Sequence, residues 1–255
     1  MNSFVKRTIT YFALAVALVL LLWMPRKYFA PAILLLALEL IRELSNGFNG
    51  HGNKIPKWIL YFACCLQFGL FLLELPLGSA YFFTVLILFG HFLWIKSQTF
   101  EDLLISIFIV TYVPFFLFPI IHLRDSYYLY LVFLISITTD TAAYLVGSAI
   151  GRHKLIPWLS PNKSVEGAIA GIVATTLLGS LFLWYFQVPL SPILVLFLAI
   201  AAICGELGDL FASKIKRELG IKDFGNMLPG HGGFLDRMDS ILFIIPLVYF
   251  IYHAL

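Results

Sequence analysis

The sequence predicts an all-α, polytopic integral membrane protein with about nine transmembrane helices and a cytoplasmic N-terminus. Three observations lead to this fold class: the composition, the length of the apolar runs and the distribution of the basic residues. Of the 255 residues, 61% are apolar and 12% are charged, whereas soluble domains are about 45–50% apolar and about 25% charged. A single soluble core could not bury so much apolar surface, so a water-soluble or disordered protein is excluded.

Nine apolar runs are predicted to be transmembrane helices, because a helix needs about 20 mostly apolar residues to cross a bilayer. The predicted spans are 8–24, 28–44, 58–75, 78–95, 103–121, 127–150, 167–187, 190–211 and 236–254. Pro31 interrupts the second span, which also carries Glu39. We expect Glu39 to form a structural ion pair or a local hydrogen bond, with Arg42 or near Glu43. The third and fourth spans could form one hairpin, since only Leu75–Gly78 separates them. No internal repeat is visible, which weighs against the duplicated transporter folds.

The distribution of Lys and Arg predicts the orientation, because cytoplasmic loops carry an excess of these residues. With nine spans, 14 of the 17 basic residues lie on the side of the N-terminus, and only Arg26, Lys27 and Arg124 lie on the other side. A miscounted helix before residue 96 would remove this asymmetry. The N-terminus and the loops that follow the second, fourth, sixth and eighth spans are therefore predicted to be cytoplasmic.

Two of these cytoplasmic loops, 151–167 and 212–239, carry more charge and glycine than a simple connection between helices requires. The second loop contains five basic residues and three aspartates. Acidic residues also lie within the neighbouring spans, where they are costly in hydrocarbon: Asp140 in the sixth span, and Glu206 and Asp209 near the end of the eighth. We interpret Asp140 and Asp209 as functional, because their helices lead into the charged loops.

The spacing around the second loop indicates a metal site. Four residues would form one stripe if the eighth helix continues beyond the membrane: Asp209, Ser213, Lys216 and Arg217. Asp236 and Asp239 are three residues apart and would project together from the first turn of the ninth helix. Carboxylates that converge from two helix ends suit Mg²⁺, which prefers a few carboxylates together with phosphate oxygens.

The glycines and basic residues of the same loop would complement such a metal. The glycines permit close backbone approach, and their N–H groups, with the N-terminal end of the ninth helix, would favour bound phosphate. Charge-assisted donors would come from Lys216, Arg217, Lys222 and Arg237, and Lys163 and Ser164 could reach the same place. This combination at a membrane face indicates phosphoryl chemistry. A purely electrostatic anchor for anionic headgroups would not explain Asp236 and Asp239.

At these residues the sequence resembles the phosphatidate cytidylyltransferase (CDP-diacylglycerol synthase) family. The resemblance rests on Ser213–Arg217, Lys222–Asp223 and Leu228–Asp239, and on shorter segments at 140–144, 151–152, 160–164, 166–167 and 208–210. Val165 departs from the family, which often has tryptophan at this position. The similarity in motifs covers residues 140–167 and 208–239, and the N-terminal helices match only in hydropathy.

The resemblance implies a membrane enzyme that condenses CTP with phosphatidic acid to give CDP-diacylglycerol and pyrophosphate. It implies Mg²⁺ as cofactor, with room for a second cation. It also implies a homodimer that has membrane lipid, and no nucleic acid, as a partner. Its active site would face the cytoplasm from a bacterial inner membrane. Residues 1–125 would provide lipid access and dimer contacts, and residues 126–255 the catalytic region.

The resemblance also implies roles for single residues. The metal carboxylates would be Asp209, Asp236 and Asp239. Further catalytic residues would be Lys216, Arg217, Lys222 and Asp223. Substrate-binding residues would be Asp140, Lys163, Ser164, Ser213, His231, Gly232, Gly233 and Arg237. For His231, a phosphate contact or a local hydrogen bond fits better than zinc binding, since no second histidine lies near it in the sequence.

Two other functions stay open at this point. A CTP- or ATP-dependent polyprenol or lipid kinase, or an archaeal-type CTP:diether-lipid transferase, shares the same arrangement of charges. A kinase would release a nucleoside diphosphate, whereas a cytidylyltransferase releases pyrophosphate. A transporter would line a path through the bilayer with charges, whereas here most charges lie on one face, with Asp140 as the main exception.

Overall fold

The computed structural model describes residues 16–228 and 232–254, and this part of the chain is mostly helical. It contains nine helical segments, with the bounds 16–23 (α1), Arg26–Gly50 (α2), Lys57–Leu72 (α3), Leu77–Trp94 (α4), Phe100–Val110 (α5), Tyr128–Ile150 (α6), Val165–Tyr185 (α7), Pro192–Glu218 (α8) and Leu235–Ala254 (α9). A π-helical turn, Thr111–Phe115, and a 3-10 turn, Phe118–Ile121, follow α5. The predicted predominance of helix is confirmed.

Four helical stretches in the described part of the chain are long and apolar enough to cross a membrane: Phe100–Ile121, Tyr128–Ile150, Val165–Tyr185 and Pro192–Glu218. The apolar helices Lys57–Leu72 and Gly78–Trp94 are shorter. Because these helices leave large apolar side chains exposed, among them Leu177 and Leu196, the protein is membrane-embedded. The total of nine spans and the orientation of the N-terminus stay predictions, and residues 8–15 of the first predicted span lie outside the described residues.

α2 is longer than the second predicted span, and it runs through Pro31 without a break. The proline removes only one hydrogen-bond donor near the start of the helix, so the rest of the helix is unaffected. Further along α2, the Arg42 guanidinium donates to the two oxygens of Glu39 at 2.7 and 2.6 Å. This confirms the expected ion pair. α3 and α4 are two separate helices, joined by residues 73–76.

The chain divides into two compact units. The first contains the described residues through His122 together with Glu218–Arg237. In this unit Gly47, near the end of α2, lies against the segment that follows α8, and a Cβ at this position would be 3.1 Å from Leu219. This packing ties the glycine-rich loop (residues 219–228 and 232–234) to α2.

The second unit contains Leu123–Arg217 and the part of α9 that begins at Met238. Here α6 packs along α7, and the segment between them includes an antiparallel hairpin of β1 (Lys154–Ile156) and β2 (Ser160–Ser164). The all-α prediction did not include this hairpin, because strands this short carry no recognisable periodicity.

α8 and α9 approach each other closely in the second unit. A Cβ on Gly205 would lie 3.0 Å from Ile244, and a Cβ on Gly208 would lie 2.5 Å from the carbonyl oxygen of Asp239. A larger residue at Gly208 would push the helices apart, so glycine is required there. The contact brings Asp209, the residue after Gly208, to the turn of α9 that carries Asp239.

Candidate active site

The second unit contains an ion pair between two residues that the sequence analysis assigned to the site. Lys163, near the end of β2, places its Nζ 2.6 Å from Oδ2 of Asp209 on α8, and the two side chains are 23% and 30% exposed. Burial lowers the pKa of Lys163, but the Asp209 carboxylate outweighs this effect and raises the pKa above its ordinary value of 10.5. Lys163 is therefore a cation at neutral pH that solvent can still reach.

Three further carboxylates lie within electrostatic range of this ion pair. Asp140 on α6 and Glu206 on α8 each interact with both Lys163 and Asp209. Asp239 on α9 interacts with Asp209 and with Asp140. We call these four acidic residues, with Lys163, the carboxylate cluster. The structure thus brings together three acids that the sequence analysis selected, and it adds Glu206, for which the sequence suggested no role.

Glu206 and Asp239 are the buried members of the carboxylate cluster, at 7% and 8% exposure. Oδ1 of Asp239 accepts the N–H of Ser240 at 2.9 Å. The Oε1 atom of Glu206 has no hydrogen-bond partner within the described residues. A buried carboxylate oxygen without a partner is costly, so Glu206 offers an oxygen to whatever the cluster binds.

The polar stripe of α8 lies where the sequence analysis placed it. The helix continues to Glu218, so its expected extension beyond the apolar run is confirmed. The stripe consists of Asp209, Ser213, Lys216 and Arg217. The two basic residues lie in the last turn of the helix, where the helix dipole favours cations. Lys216 also interacts electrostatically with Asp239, whereas Arg217 is exposed.

Ser164 is buried and forms the N-cap of α7. Its Oγ accepts the N–H of Gly167 at 3.1 Å. A Cβ on Gly147 would lie 2.9 Å from the same oxygen, and a Cβ on Gly151 would lie 2.5 Å from it. The hydroxyl therefore has a structural role at the contact between α6 and α7, and its role in substrate binding stays a prediction.

In the first unit, Asp236 joins Phe224, within the glycine-rich loop, to the end of the loop at Gly233. Its Oδ2 accepts the N–H of Phe224 and the N–H of Gly233, each at 2.9 Å. The side chain is 8% exposed. One oxygen of this predicted metal ligand is therefore engaged by the backbone of the loop.

Gly232 is required by the conformation of the same loop. It has a φ of +81°, in the left-handed region that favours glycine. A Cβ at this position would lie 2.8 Å from Oδ2 of Asp236 and 3.1 Å from Oδ1 of Asp223. Asp223 thus lies directly against Gly232.

The other predicted residues of this unit differ in how far the structure describes them. Lys222 and Arg237 are both exposed, as expected of groups that meet a phosphate from solvent. His231 lies outside the described residues, so its role stays a prediction.

Glu43 is a residue that the sequence analysis did not select. It lies on α2 and is 1% exposed. Its Oε1 accepts the N–H of Phe234 at 3.0 Å, and its Oε2 accepts the N–H of Leu235, the first residue of α9, at 2.8 Å. The only sequence signal is an acid near the end of an apolar span, and that signal does not reveal a partner 191 residues away.

These hydrogen bonds bear on one expectation. The sequence analysis expected the N–H groups at the start of the ninth helix, Gly233 included, to bind phosphate. In this structure three of these amides have protein partners, because Gly233 donates to Asp236, and Phe234 and Leu235 donate to Glu43. Protein carboxylates occupy the positions that a bound anion would otherwise take. The substrate-binding role of Gly233 stays a prediction.

The donor set of the carboxylate cluster suits Mg²⁺. Across residues 16–228 and 232–254, no group of three His, Cys, Asp or Glu side chains is gathered closely enough to hold a metal ion by itself. Mg²⁺ does not need such a group, because it is commonly bound by one or two carboxylates, waters and substrate phosphates. Asp209 and Asp239 can supply these carboxylates from adjacent helices.

Several curated relatives of the chain carry the same enzyme name. The chain is 38% identical to a phosphatidate cytidylyltransferase of Bacillus subtilis (strain 168) over 176 residues, which are 66% of this chain and 65% of the relative. It is 44% identical to that of Staphylococcus haemolyticus (strain JCSC1435) over 123 residues, 48% of this chain and 47% of the relative. The same enzyme of Staphylococcus aureus (strain COL) is 43% identical over 123 residues, with the same coverage of both chains. The chain thus spans less than two thirds of the length of these curated relatives.

A family model covers far more of the chain than these alignments. The model described as the cytidylyltransferase family matches residues 5–255. The match includes the carboxylate cluster, the polar stripe of α8 and the glycine-rich loop. Because it extends over nearly the whole chain, the protein belongs to the cytidylyltransferase family.

Proposed function

We propose that the protein is a phosphatidate cytidylyltransferase, which condenses CTP with phosphatidic acid to give CDP-diacylglycerol and pyrophosphate. The relatives that carry this name support the proposal. The observation that carries the proposal is the Lys163–Asp209 ion pair, which lies within electrostatic range of Asp239. These residues are a cation and two carboxylates on a membrane-embedded chain. Carboxylates that would hold Mg²⁺, next to a lysine that would meet a phosphate, could offset the repulsion between two polyanionic substrates.

The reaction makes modest demands on proton transfer. A phosphate oxygen of the lipid attacks the α-phosphorus of CTP, the bond between the α- and β-phosphates breaks, and pyrophosphate leaves. The attacking oxygen is already anionic near neutral pH, so no strong general base is needed. The enzyme must instead overcome the repulsion between the two substrates and align them for attack.

Lys163 is suited to the first of these tasks. Because its pKa is raised, it is charged at neutral pH, and it forms an ion pair with Asp209. A phosphate group that enters the cluster would replace Asp209 as its partner and would release that carboxylate. Lys216 and Arg217, at the end of the same helix as Asp209, would neutralise further negative charge.

Mg²⁺ held by Asp209 and Asp239 would supply the remaining positive charge for the triphosphate. Glu206 offers an additional oxygen, which would serve a second cation. The metal role of Asp236 is part of the proposal as well, and it is compatible with one of its oxygens holding the loop. Removal of divalent cations by a chelator should therefore abolish turnover, and added Mg²⁺ should restore it.

The setting of the enzyme follows from the charge distribution and the family. We propose nine spans, a cytoplasmic N-terminus and a site that faces the cytoplasm, because 14 of 17 basic residues would then lie on one side. A bacterial inner membrane is supported by the bacterial relatives. A homodimer is proposed from the family resemblance alone.

The direct test incubates the purified protein in detergent with Mg²⁺, phosphatidic acid and CTP labelled at the α-phosphate. We expect label in the lipid phase and release of one pyrophosphate for each labelled lipid. Release of CDP together with a phosphorylated lipid, with polyprenol as the competing acceptor, would show a kinase and overturn the proposal. Asp239→Asn should lose turnover while it remains folded and inserted, and near-normal activity in this variant would contradict the metal assignment.

A further inference from the structure

Glu43 is buried in the first unit at a place where a carboxylate is costly. At 1% exposure it has little access to water, and an ionised group in such a place is tolerated only when its oxygens are hydrogen-bonded. Both oxygens accept backbone N–H groups, from Phe234 and Leu235. An apolar residue of similar size would fill the same space without this cost, so the carboxylate has a more specific role than packing.

Two glycines of the glycine-rich loop make room for this carboxylate. A Cβ added to Gly225 would overlap the Glu43 carboxylate, and its carboxyl carbon would be 2.8 Å away. A Cβ added to Gly233 would overlap both Glu43 oxygens. Glu43 therefore contacts the loop at two places, Gly225 and Gly233. These lie close to the two amides, of Phe224 and Gly233, that Asp236 binds.

We propose that Glu43 is a positioning residue for the reaction. From α2 it fixes the end of the glycine-rich loop and the first turn of α9, and so it orients the exposed cations Lys222 and Arg237 that would bind the CTP phosphates. It does not touch substrate itself. The inference rests on the proposed function, because it assumes that this loop binds a nucleoside triphosphate.

The first experiment compares Glu43→Gln with a matched control, Glu39→Gln. Both substitutions remove one carboxylate from α2, but Glu39 pairs with Arg42, whereas Glu43 binds the amides of Phe234 and Leu235. In Glu43→Gln, an NH₂ group replaces one carboxylate oxygen. This group cannot accept the backbone N–H that the oxygen accepted. We expect the KM for CTP to rise about tenfold, the size of one lost charge-assisted hydrogen bond, with no comparable change in Glu39→Gln.

The KM for CTP separates positioning from a merely structural role. A variant that only lowers the folded fraction reduces the apparent kcat and leaves KM unchanged, whereas a displaced loop weakens CTP binding in the molecules that are folded. A Glu43→Gln enzyme with an unchanged KM for CTP would overturn the inference.

A double-mutant cycle with Gly225 tests the contact itself. Gly225→Ala forces a methyl group into the Glu43 carboxylate, and we expect it to raise the KM for CTP about tenfold in the otherwise unchanged protein. In a Glu43→Ala background the carboxylate is gone, so Gly225→Ala should raise the KM for CTP by less than about twofold. Equal effects of Gly225→Ala in both backgrounds would show that the two residues are not coupled, and would contradict the inference.

Amide hydrogen exchange provides a measurement that does not depend on activity. The amides of Phe234 and Leu235 should exchange faster in Glu43→Gln, whereas those in the middle of α7 should not change. If the wild-type protein transfers no cytidylyl group from CTP to lipid, the proposed function fails, whatever the exchange result. If it does transfer this group, but neither the KM nor the exchange responds to Glu43→Gln, the inference alone fails.

Discussion

Asp236 combines a part in the fold with a predicted part in the chemistry. Its Oδ2 accepts two backbone N–H groups that close the glycine-rich loop, and its charge is expected to contribute to metal binding. These two roles depend on different properties of the side chain. The first needs an oxygen acceptor, and the second needs a negative charge.

Asp236→Asn separates these two properties. Asparagine keeps one oxygen that can accept both amide bonds but has no charge. We expect turnover to fall at least about 100-fold, with the thermal midpoint nearly unchanged, in a comparison of activity and unfolding in detergent. Asp236→Ala, the control, should lose turnover and lower the midpoint too. An active Asp236→Asn enzyme would limit Asp236 to the fold of the loop.

The Lys163–Asp209 ion pair should make stability depend on pH in the alkaline range. Because the folded state raises the pKa of Lys163 above 10.5, the pair contributes stability below this value and loses it as the pH rises through the folded-state pKa. The wild-type protein should therefore unfold at a higher temperature than Lys163→Met from pH 7 to 10, and the difference should disappear at higher pH. Lys154→Met, in the same hairpin, should show no such dependence.

At the scale of helices, the close contact between α8 and α9 positions the carboxylates of the second unit. Gly205 and Gly208 lie three residues apart, on one face of α8, and allow the backbone of α9 to approach. Asp209 follows directly, so the glycines and the acid next to them work together. A side chain at Gly208 would separate the helices at the place where their carboxylates meet.

Gly208→Ala should therefore be harmful, although alanine is the better helix former. Its methyl group would lie 2.5 Å from the carbonyl oxygen of Asp239, and such overpacking costs about 1–3 kcal/mol. We expect a lower thermal midpoint and reduced turnover. The matched control is Gly69→Ala on α3, where no atom lies within 4 Å of the added Cβ. Equal stability of the two variants would contradict this account of the helix contact.

At the scale of the whole molecule, the open question is which segments lie on each side of the membrane. The proposed nine spans place the hairpin segment and the glycine-rich loop on one side, and the short connections after α3 and α7 on the other. These connections both contain a residue with φ near +60°, Glu74 and Gln187, which is typical of tight turns. The prediction can be tested by the accessibility of single cysteines.

Single cysteines should react according to this topology when the three native cysteines are replaced. In right-side-out vesicles, Gln187→Cys should react with a membrane-impermeant maleimide, whereas Asn162→Cys and Met227→Cys should react only after permeabilisation. Reaction of Asn162→Cys and Gln187→Cys from the same side would show that the seventh predicted span does not cross the membrane.

The predicted site residues that the structure places on the expected element are those with a local signal in the sequence. Asp209, Lys216 and Arg217 are recognisable from helical spacing at the end of an apolar run, and α8 does continue through them. Lys163 was selected because it lies in a charged loop, but the sequence did not reveal that its partner is Asp209. Glu206 was visible as an acid in an apolar run, yet only its burial and its unpaired oxygen within the described residues give it significance.

The sequence by itself determined the helical, membrane-embedded character of the chain and the motifs of its two charged loops, because composition and short-range spacing carry that information. Only the tertiary structure decided that Lys163 pairs with Asp209, and that Glu43 binds the amides we expected a phosphate to bind. The reason is physical. A buried carboxylate must find hydrogen-bond donors wherever the fold provides them, and no local pattern records which distant backbone groups packing will bring within reach.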